Sequence, residues 1–384
     1  MMKRYVLITV LLCVGTILNA QPGPRYENLN DGIFDVIIID STTNLSRVAL
    51  LKDMRNLNLI IQLPKIPVEF KNFVHTESLT ITIANDLSDL VYFPNLKSLS
   101  IHSYLGKEIS PNNIQLDSLQ SLYISDAKNL ERMDAFSENI AIERLFIQGT
   151  PNLIRFPKFA KNNRIKELKV DHGITFRKNY GTNYLKAIKH LSRLNKLTLA
   201  NIYSITEVPS YLPVSIQYLE INSWALHNRT TKITNLRHLN KLKNLEELRL
   251  YAIELDSVET TFPNLSLKGL YLDRVQNLKD VSWVFTFDAI EHLRIRNCND
   301  LYVIEGNLEN DNISEIDINK ANNLTSIDFL FKLTNLKFLE VRNCSKLIVP
   351  STDVMYKIPH IMMAGTKYHF YRENYIWELI EYYD

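Results

Sequence analysis

The sequence predicts an α/β repeat solenoid. It is a curved horseshoe with a parallel β-sheet on its concave face and loops, 3₁₀ turns and short helices on its convex face. Three observations predict it. A six-residue pattern, apolar-x-x-apolar-x-apolar, returns about every 22 to 23 residues. Within each pattern the apolar residues alternate with period two, as in a short strand with one face buried. Finally, the pattern fills nearly all of the 384 residues, and stacked repeats need no separate core.

The pattern reads Leu96-Leu99-Ile101, Leu119-Leu122-Ile124, Ile142-Leu145-Ile147 and Ile165-Leu168-Val170. It resumes at Leu194-Leu197-Leu199 and Ile216-Leu219-Ile221, and continues to Leu336-Leu339-Val341. A period in the range of about 20–29 residues with this core defines a leucine-rich repeat. About 14 repeats are expected over residues 54–366, with middle apolar residues running from Leu57 and Leu79 to Leu339 and Ile361. Around Leu57 the first apolar slot is Met54, and Val36 sits in a run that suits a capping strand one step earlier. A second apolar position preceded by Asn closes several turns, as in Asn129-Leu130, Asn152-Leu153, Asn277-Leu278 and Asn323-Leu324. Between strand and turn, a slot held by Ala127, Thr150, Val275, Cys298, Ala321 or Cys344 suits a cramped inward-facing space. Two longer steps hold Leu185-Ile188-Leu191-Leu194 and Leu236-Leu239-Leu242-Leu245, a spacing that predicts convex-side helix.

Leu324 to Val341, LTSIDFLFKLTNLKFLEV, resembles the repeats of bacterial internalins. The cores followed by Asn297-Cys298 and Asn343-Cys344 are similar to the Cys-position repeats of plant resistance proteins and many exported bacterial proteins. The resemblance spans roughly residues 54 to 366. It implies the solenoid fold and a secreted bacterial protein, and it carries no catalytic residues. The strict Asn ladder of internalins is missing, because the corresponding slot varies among Ala, Thr, Val and Cys.

The ends differ from the array. Lys3-Arg4, the apolar run Tyr5–Leu18 and then Asn19-Ala20 follow the layout of a secretory signal peptide over residues 1–20. The run is short for a membrane span, which needs about 20 residues; a retained anchor is the alternative. Residues 21–53 are expected to form an N-terminal cap. Residues 367–384, with Tyr368, Phe370, Tyr371, Tyr375, Trp377, Tyr382 and Tyr383, read as an aromatic capping helix over the last open repeat or as a docking tail. Cys298 and Cys344 occupy one slot in repeats two apart, roughly 10 Å by strand spacing. That exceeds the reach of a disulfide, about 7 Å between Cα atoms, so two buried thiols are expected.

Composition bounds the function. With 46% hydrophobic and 22% charged residues the chain is of ordinary soluble type. Its net charge is +2 and becomes neutral once Lys3 and Arg4 leave with the leader, which argues against nucleic acid as partner. No zinc helix, nucleophile elbow or phosphate-binding glycine loop occurs. His102, His292 and His360 lie in distant repeats and read as surface residues rather than metal ligands. Glu246-Glu247 reads as a solvated face. The chain is therefore expected to be a non-enzyme without cofactor, metal or retained membrane span. It would be exported to medium, periplasm or cell surface and would bind a protein, peptide or glycan. The alternative is a scaffolding envelope protein that works through its aromatic tail or through the basic convex stretch Lys158–Lys196, itself readable as a plain solvated face.

On the concave face, two columns flank the middle apolar residue. One runs Ser100, Tyr123, Phe146, Lys169, Thr198, Glu220, Arg249, Tyr271, Arg294, Asp317, Glu340. The other runs His102, Ser125, Gln148, Asp171, Ala200, Asn222, Tyr251, Asp273, Arg296, Asn319, Arg342. Tyr123 with Phe146, and Tyr251 with Tyr271, are expected as exposed aromatic pairs, either binding anchors or cross-strand packing. Arg249, Arg294, Arg296 and Arg342 interleave with Asp273, Asp317 and Glu340. They form either a self-compensating ion ladder or a polar patch for a ligand.

Overall fold

The computed structural model describes residues 26–27, 36–52, 58–110, 116–137, 139–154, 156–157, 159–171, 182–223, 230–256, 266–306, 311–348, 357–366, 369–373 and 376–380. The leader expected at 1–20 lies outside them, as does the centre of the basic stretch at 172–181. The described residues form an 18-stranded sheet. Its 15 inner strands, from Val36–Ile39 to His360–Ala364, run parallel. Equivalent residues pair without slip: Leu122 with Leu145, Leu248 with Leu270, Ile316 with Leu339. The inward residues of every repeat merge into one continuous core. No turn of the coil could bury these faces alone, so stacking supplies the stability.

One phase differs from the sequence reading. The strand expected around Leu57 is Asn58–Ile61, and its middle residue is Leu59, paired with Leu79. Leu57, Leu59 and Ile61 alternate, so the pattern can be laid in two phases. The stack selects the one that sends Leu59 and Ile61 inward, both fully buried.

The convex side is built of short 3₁₀ segments, among them Ser88–Tyr92, Ser282–Thr286 and Asp328–Lys332. The helices expected in the longer steps are also 3₁₀, at Thr182–His190 and Arg237–Lys241. Their apolar residues recur every third position, and 3.0 residues per turn places i and i+3 on one line. Leu185, Ile188, Leu191 and Leu194 are all buried, as are Leu236, Leu239, Leu242 and Leu245.

The aromatic capping helix is not formed. His369–Glu373 and Ile376–Ile380 are antiparallel strands, and the first pairs with His360–Ala364. Aromatic and β-branched residues favour strands, and the last parallel strand offers a row of unpaired backbone groups that a hairpin satisfies. At the other edge Tyr26–Glu27 pairs antiparallel with Val36–Ile39.

Eleven of the described inner strands are followed by a residue of left-handed conformation that turns the chain out of the sheet. Asp126, Gly149, Asn201, Asn297, Asn343 and Gly365 suit it, having small or locally hydrogen-bonding side chains. The amide N–H of this residue still donates to the next repeat, as from Asn297 to the Asn319 carbonyl at 2.8 Å. Its side chain reaches the previous one: Asn201 donates to Asp171 at 2.8 Å, Asn297 to Asp273 at 2.9 Å and Asn343 to Asn319 at 3.0 Å. The Asn-Leu pairs of the following turn work similarly. Asn129, Asn152 and Asn323 donate to the carbonyls of Leu105, Lys128 and Asn299. Asparagine side chains therefore bridge neighbouring repeats on both sides of the slot, though not as a continuous ladder.

Ile83 holds the same left-handed position at φ 62° although β-branched, and it is 52% exposed. Little packing is lost by changing it. Ile83→Asn is therefore expected to raise stability by about 1 kcal/mol, the usual cost of an L-residue there. A lower melting midpoint for the variant would contradict this account of the turn.

Cys298 and Cys344 are buried free thiols in the cramped slot, as are Ala127, Val275 and Ala321 in theirs. Among the described residues no helix is long and apolar enough to cross a membrane.

Candidate functional site

Stacking turns the outward strand positions into the two expected columns, now in fixed register. Tyr123 lies beside Phe146, Arg249 beside Tyr271, Arg294 beside Asp317 and Arg296 beside Asn319. Six of the expected residues, Arg249, Tyr251, Tyr271, Asp273, Arg294 and Arg296, line one hollow of about 300 Å³ together with Glu220 and Asn222. A second hollow of about 330 Å³ adjoins it, lined by Tyr271, Arg294 and Arg296 with Asp317, Glu340, His292 and Phe338. Arg342 stands beyond these, its Nε 3.0 Å from Glu340.

Cations and rings alternate across the hollow's wall. Lys196 Nζ is 5.4 Å from the Tyr218 ring centre, and the Arg249 guanidinium lies 5.3 Å from Tyr218 and 4.6 Å from Tyr271. Arg294 approaches Tyr271 from the next strand at 5.4 Å, and Arg274 covers Tyr251 at 5.4 Å. Each such contact contributes about 0.5–1 kcal/mol when exposed. Their joint effect is to hold long side chains in place. Burial, and then donation of its hydroxyl to Glu220 at 2.6 Å, pushes the Tyr218 phenol well above its ordinary range.

Tyr218 belongs to a third outward column, one residue before the middle position. The same alternation implies that column, but the two-column reading leaves it out. It also contains Glu247, whose carboxylate holds Arg249 Nε at 2.5 Å, and Gly269. A Cβ on Gly269 would lie 3.1 Å from the Tyr271 ring. Glycine here lets the ring lie down along its own strand, next to Arg249.

Charge pairing follows the expected ladder only in part. Asp317, 8% exposed, takes Arg294 Nε at 3.0 Å and Arg296 at 2.6 Å on one carboxylate oxygen. Its other oxygen and Arg296 Nε are buried without a hydrogen-bond partner. Asp273 accepts from Asn297, with Arg274 4.0 Å away. Glu246 and Glu247 diverge as adjacent strand residues must, Glu246 to Lys268 and Glu247 to Arg249.

Tyr123 and Phe146 are separated from the hollow by the strands Glu167–Asp171 and Lys196–Ala200. They are half-buried rather than exposed, edge to face at 6.4 Å, and Tyr123 donates to Gln148 at 2.7 Å. His102, expected on the surface, is half-buried beside Tyr123 and bonded to Ser125 Oγ. Burial holds its imidazole below the usual range. Among the described residues no group of His, Cys, Asp or Glu could hold a metal ion.

No family model and no curated protein matches the chain. Solved structures do. TLR13 in its complex with ssRNA13 is similar at 16% identity over 86% of this chain, with a TM-score of 0.51; this chain spans 58% of it. The chain has a leucine-rich-repeat fold. An internalin, InlF, of Listeria monocytogenes matches at 18% identity over 86% of both chains (TM-score 0.49). A leucine-rich-repeat protein of Leptospira interrogans matches at 16% identity over 84% of this chain and 93% of its own (TM-score 0.40). Identities at this level speak to the fold alone.

Proposed function

We propose that this leucine-rich-repeat chain is an exported, non-enzymatic recognition module. It takes up an extended segment of a protein or peptide on its concave face, with Tyr123 and Phe146 as an outlying contact. The observation that carries the reading is the hollow itself. Four neighbouring strands supply eight polar and aromatic side chains to one cavity of about 300 Å³. Rigid aromatic and arginine side chains are the residues that dominate binding at interfaces. Support for export is the order of basic start, apolar run and Asn19-Ala20 at residues 1–20.

The test is selection of short displayed peptides on the full chain, followed by calorimetry of those recovered. Tyr251→Ala and Tyr271→Ala are each expected to weaken binding by at least about tenfold with unchanged melting, the usual cost of truncating an aromatic anchor. Tyr302→Ala removes an aromatic that is 49% exposed and outside both hollows, and should leave binding intact. Peptides whose affinity ignores both pocket tyrosines would place recognition elsewhere.

A further inference from the structure

The side chains of the hollow differ in what they have left to offer. Arg249 spends its Nε on Glu247, and Arg294 spends its Nε on Asp317. The terminal nitrogens of both have no hydrogen-bond partner among the described residues. The carboxylates nearby are engaged. Glu220 receives Tyr218 and Asn222, Asp273 receives Asn297, and Asp317 receives two arginines. Acceptors also remain open at one oxygen of Asp317 and at Asn222 Oδ1, but these atoms are buried, whereas the free guanidinium ends belong to side chains 44% and 47% exposed.

The arrangement of those donors is specific. Arg249 and Arg294 reach Tyr271 from the two strands on either side of it, at 4.6 and 5.4 Å from the ring centre. Gly269 leaves the room in which that ring lies. A guanidinium held against a ring loses water from its face and binds through its edge. That edge, two parallel N–H groups, matches a carboxylate. We infer that the hollow recognises a carboxylate of an extended peptide, from an Asp or Glu side chain or a free C-terminus, through the terminal nitrogens of Arg249 and Arg294. The inference rests on the concave-face reading above. The acidic residues Glu220, Glu247, Asp273 and Asp317 surrounding the two forks favour an isolated carboxylate over a run of phosphates.

The same selected peptides test it. Asp or Glu should be enriched among them, or a free C-terminus required. Replacing the acidic residue by its amide, or amidating the C-terminus, then identifies which carboxylate binds; this arm uses the unmodified protein and cannot be confounded by folding. Arg249→Gln and Arg294→Gln are each expected to weaken the acidic peptide by at least about tenfold, the cost of a lost charge-assisted bond. Neither should further weaken the amide form. Arg249→Lys keeps the charge but not the fork, so it should fail to restore affinity. If the tyrosine variants abolish binding while the amide peptides bind as well as the acids, the carboxylate assignment is wrong and the concave reading stands. If neither tyrosines nor arginines matter, both fall. Competition by a single-stranded oligonucleotide, without any effect of acidic peptides, would also overturn the assignment.

Discussion

Replacing Phe285 by alanine is expected to cost about 3–5 kcal/mol of stability, the range for a buried aromatic truncated in a packed core. Phe285 is 1% exposed on the convex side and meets Phe329, two repeats further on, edge to face, ring centres 4.8 Å apart. Gly306 stands in the repeat between them, and its lack of a side chain lets the two rings meet across it. A Cβ there would lie 2.6 Å from the Phe285 ring and 2.9 Å from that of Phe329. The three residues thus form a joint across three successive turns of the coil, filled to the limit of van der Waals contact. Because the turns of a solenoid are held only by others close along the coil, a weakened joint divides the array. The variant should therefore unfold in two steps, with amide exchange fastest in the repeats beyond the joint. Gly306→Ala overfills the same space and should cost about 1–3 kcal/mol. A loss under about 1 kcal/mol for Phe285→Ala would mean that the joint is not packed as described.

The array was legible because the inward slot is chemically uniform and recurs at fixed spacing. The columns followed, since parallel stacking without slip brings equal positions together, as Tyr123 with Phe146. What stayed hidden depends on degrees of freedom that a linear pattern does not carry. The run from Leu57 to Ile61 alternates, so its phase was settled only by the neighbouring Leu79. The aromatic C-terminal run suits helix or strand, and the open edge at His360–Ala364 decided it. Within the site, the membership of Arg249, Tyr271 and Arg294 could be read from position. The partners could not, because long side chains choose them by direction. Two arginines of one strand converge on Asp317, while Asp273 turns to Asn297. Tyr218, which completes the wall around Arg249, was accessible from the alternation alone.

Above about pH 9 the fold should lose stability in a step that belongs to Cys298. Burial pushes this thiol from 9.0 up to about 12. Backbone hydrogen bonds at Val275, Arg296 and Arg274 favour the thiolate but offset the burial only in part, and the Sγ lies 3.3 and 3.7 Å from the carbonyls of Arg296 and Leu272. These carbonyls accept from the S–H and would repel a thiolate. The folded chain therefore keeps a proton that the unfolded chain releases, so stability is full below 9.0 and falls as pH rises toward 12. The equilibrium constant changes roughly tenfold per pH unit in that window, of the order of 4 kcal/mol across it. Tyr211, raised by burial from 10.0 to about 12, adds a loss of the same sign that begins one unit higher. Cys298→Ala isolates the thiol, and alanine fits the slot, as Ala127 and Ala321 already do, fully buried. Urea midpoints of the two proteins, followed from about pH 8 to about pH 11, should diverge in the variant's favour as pH rises. Parallel curves would show that the thiol titrates alike in the folded and unfolded chain, and that the slot is wetter than its burial states.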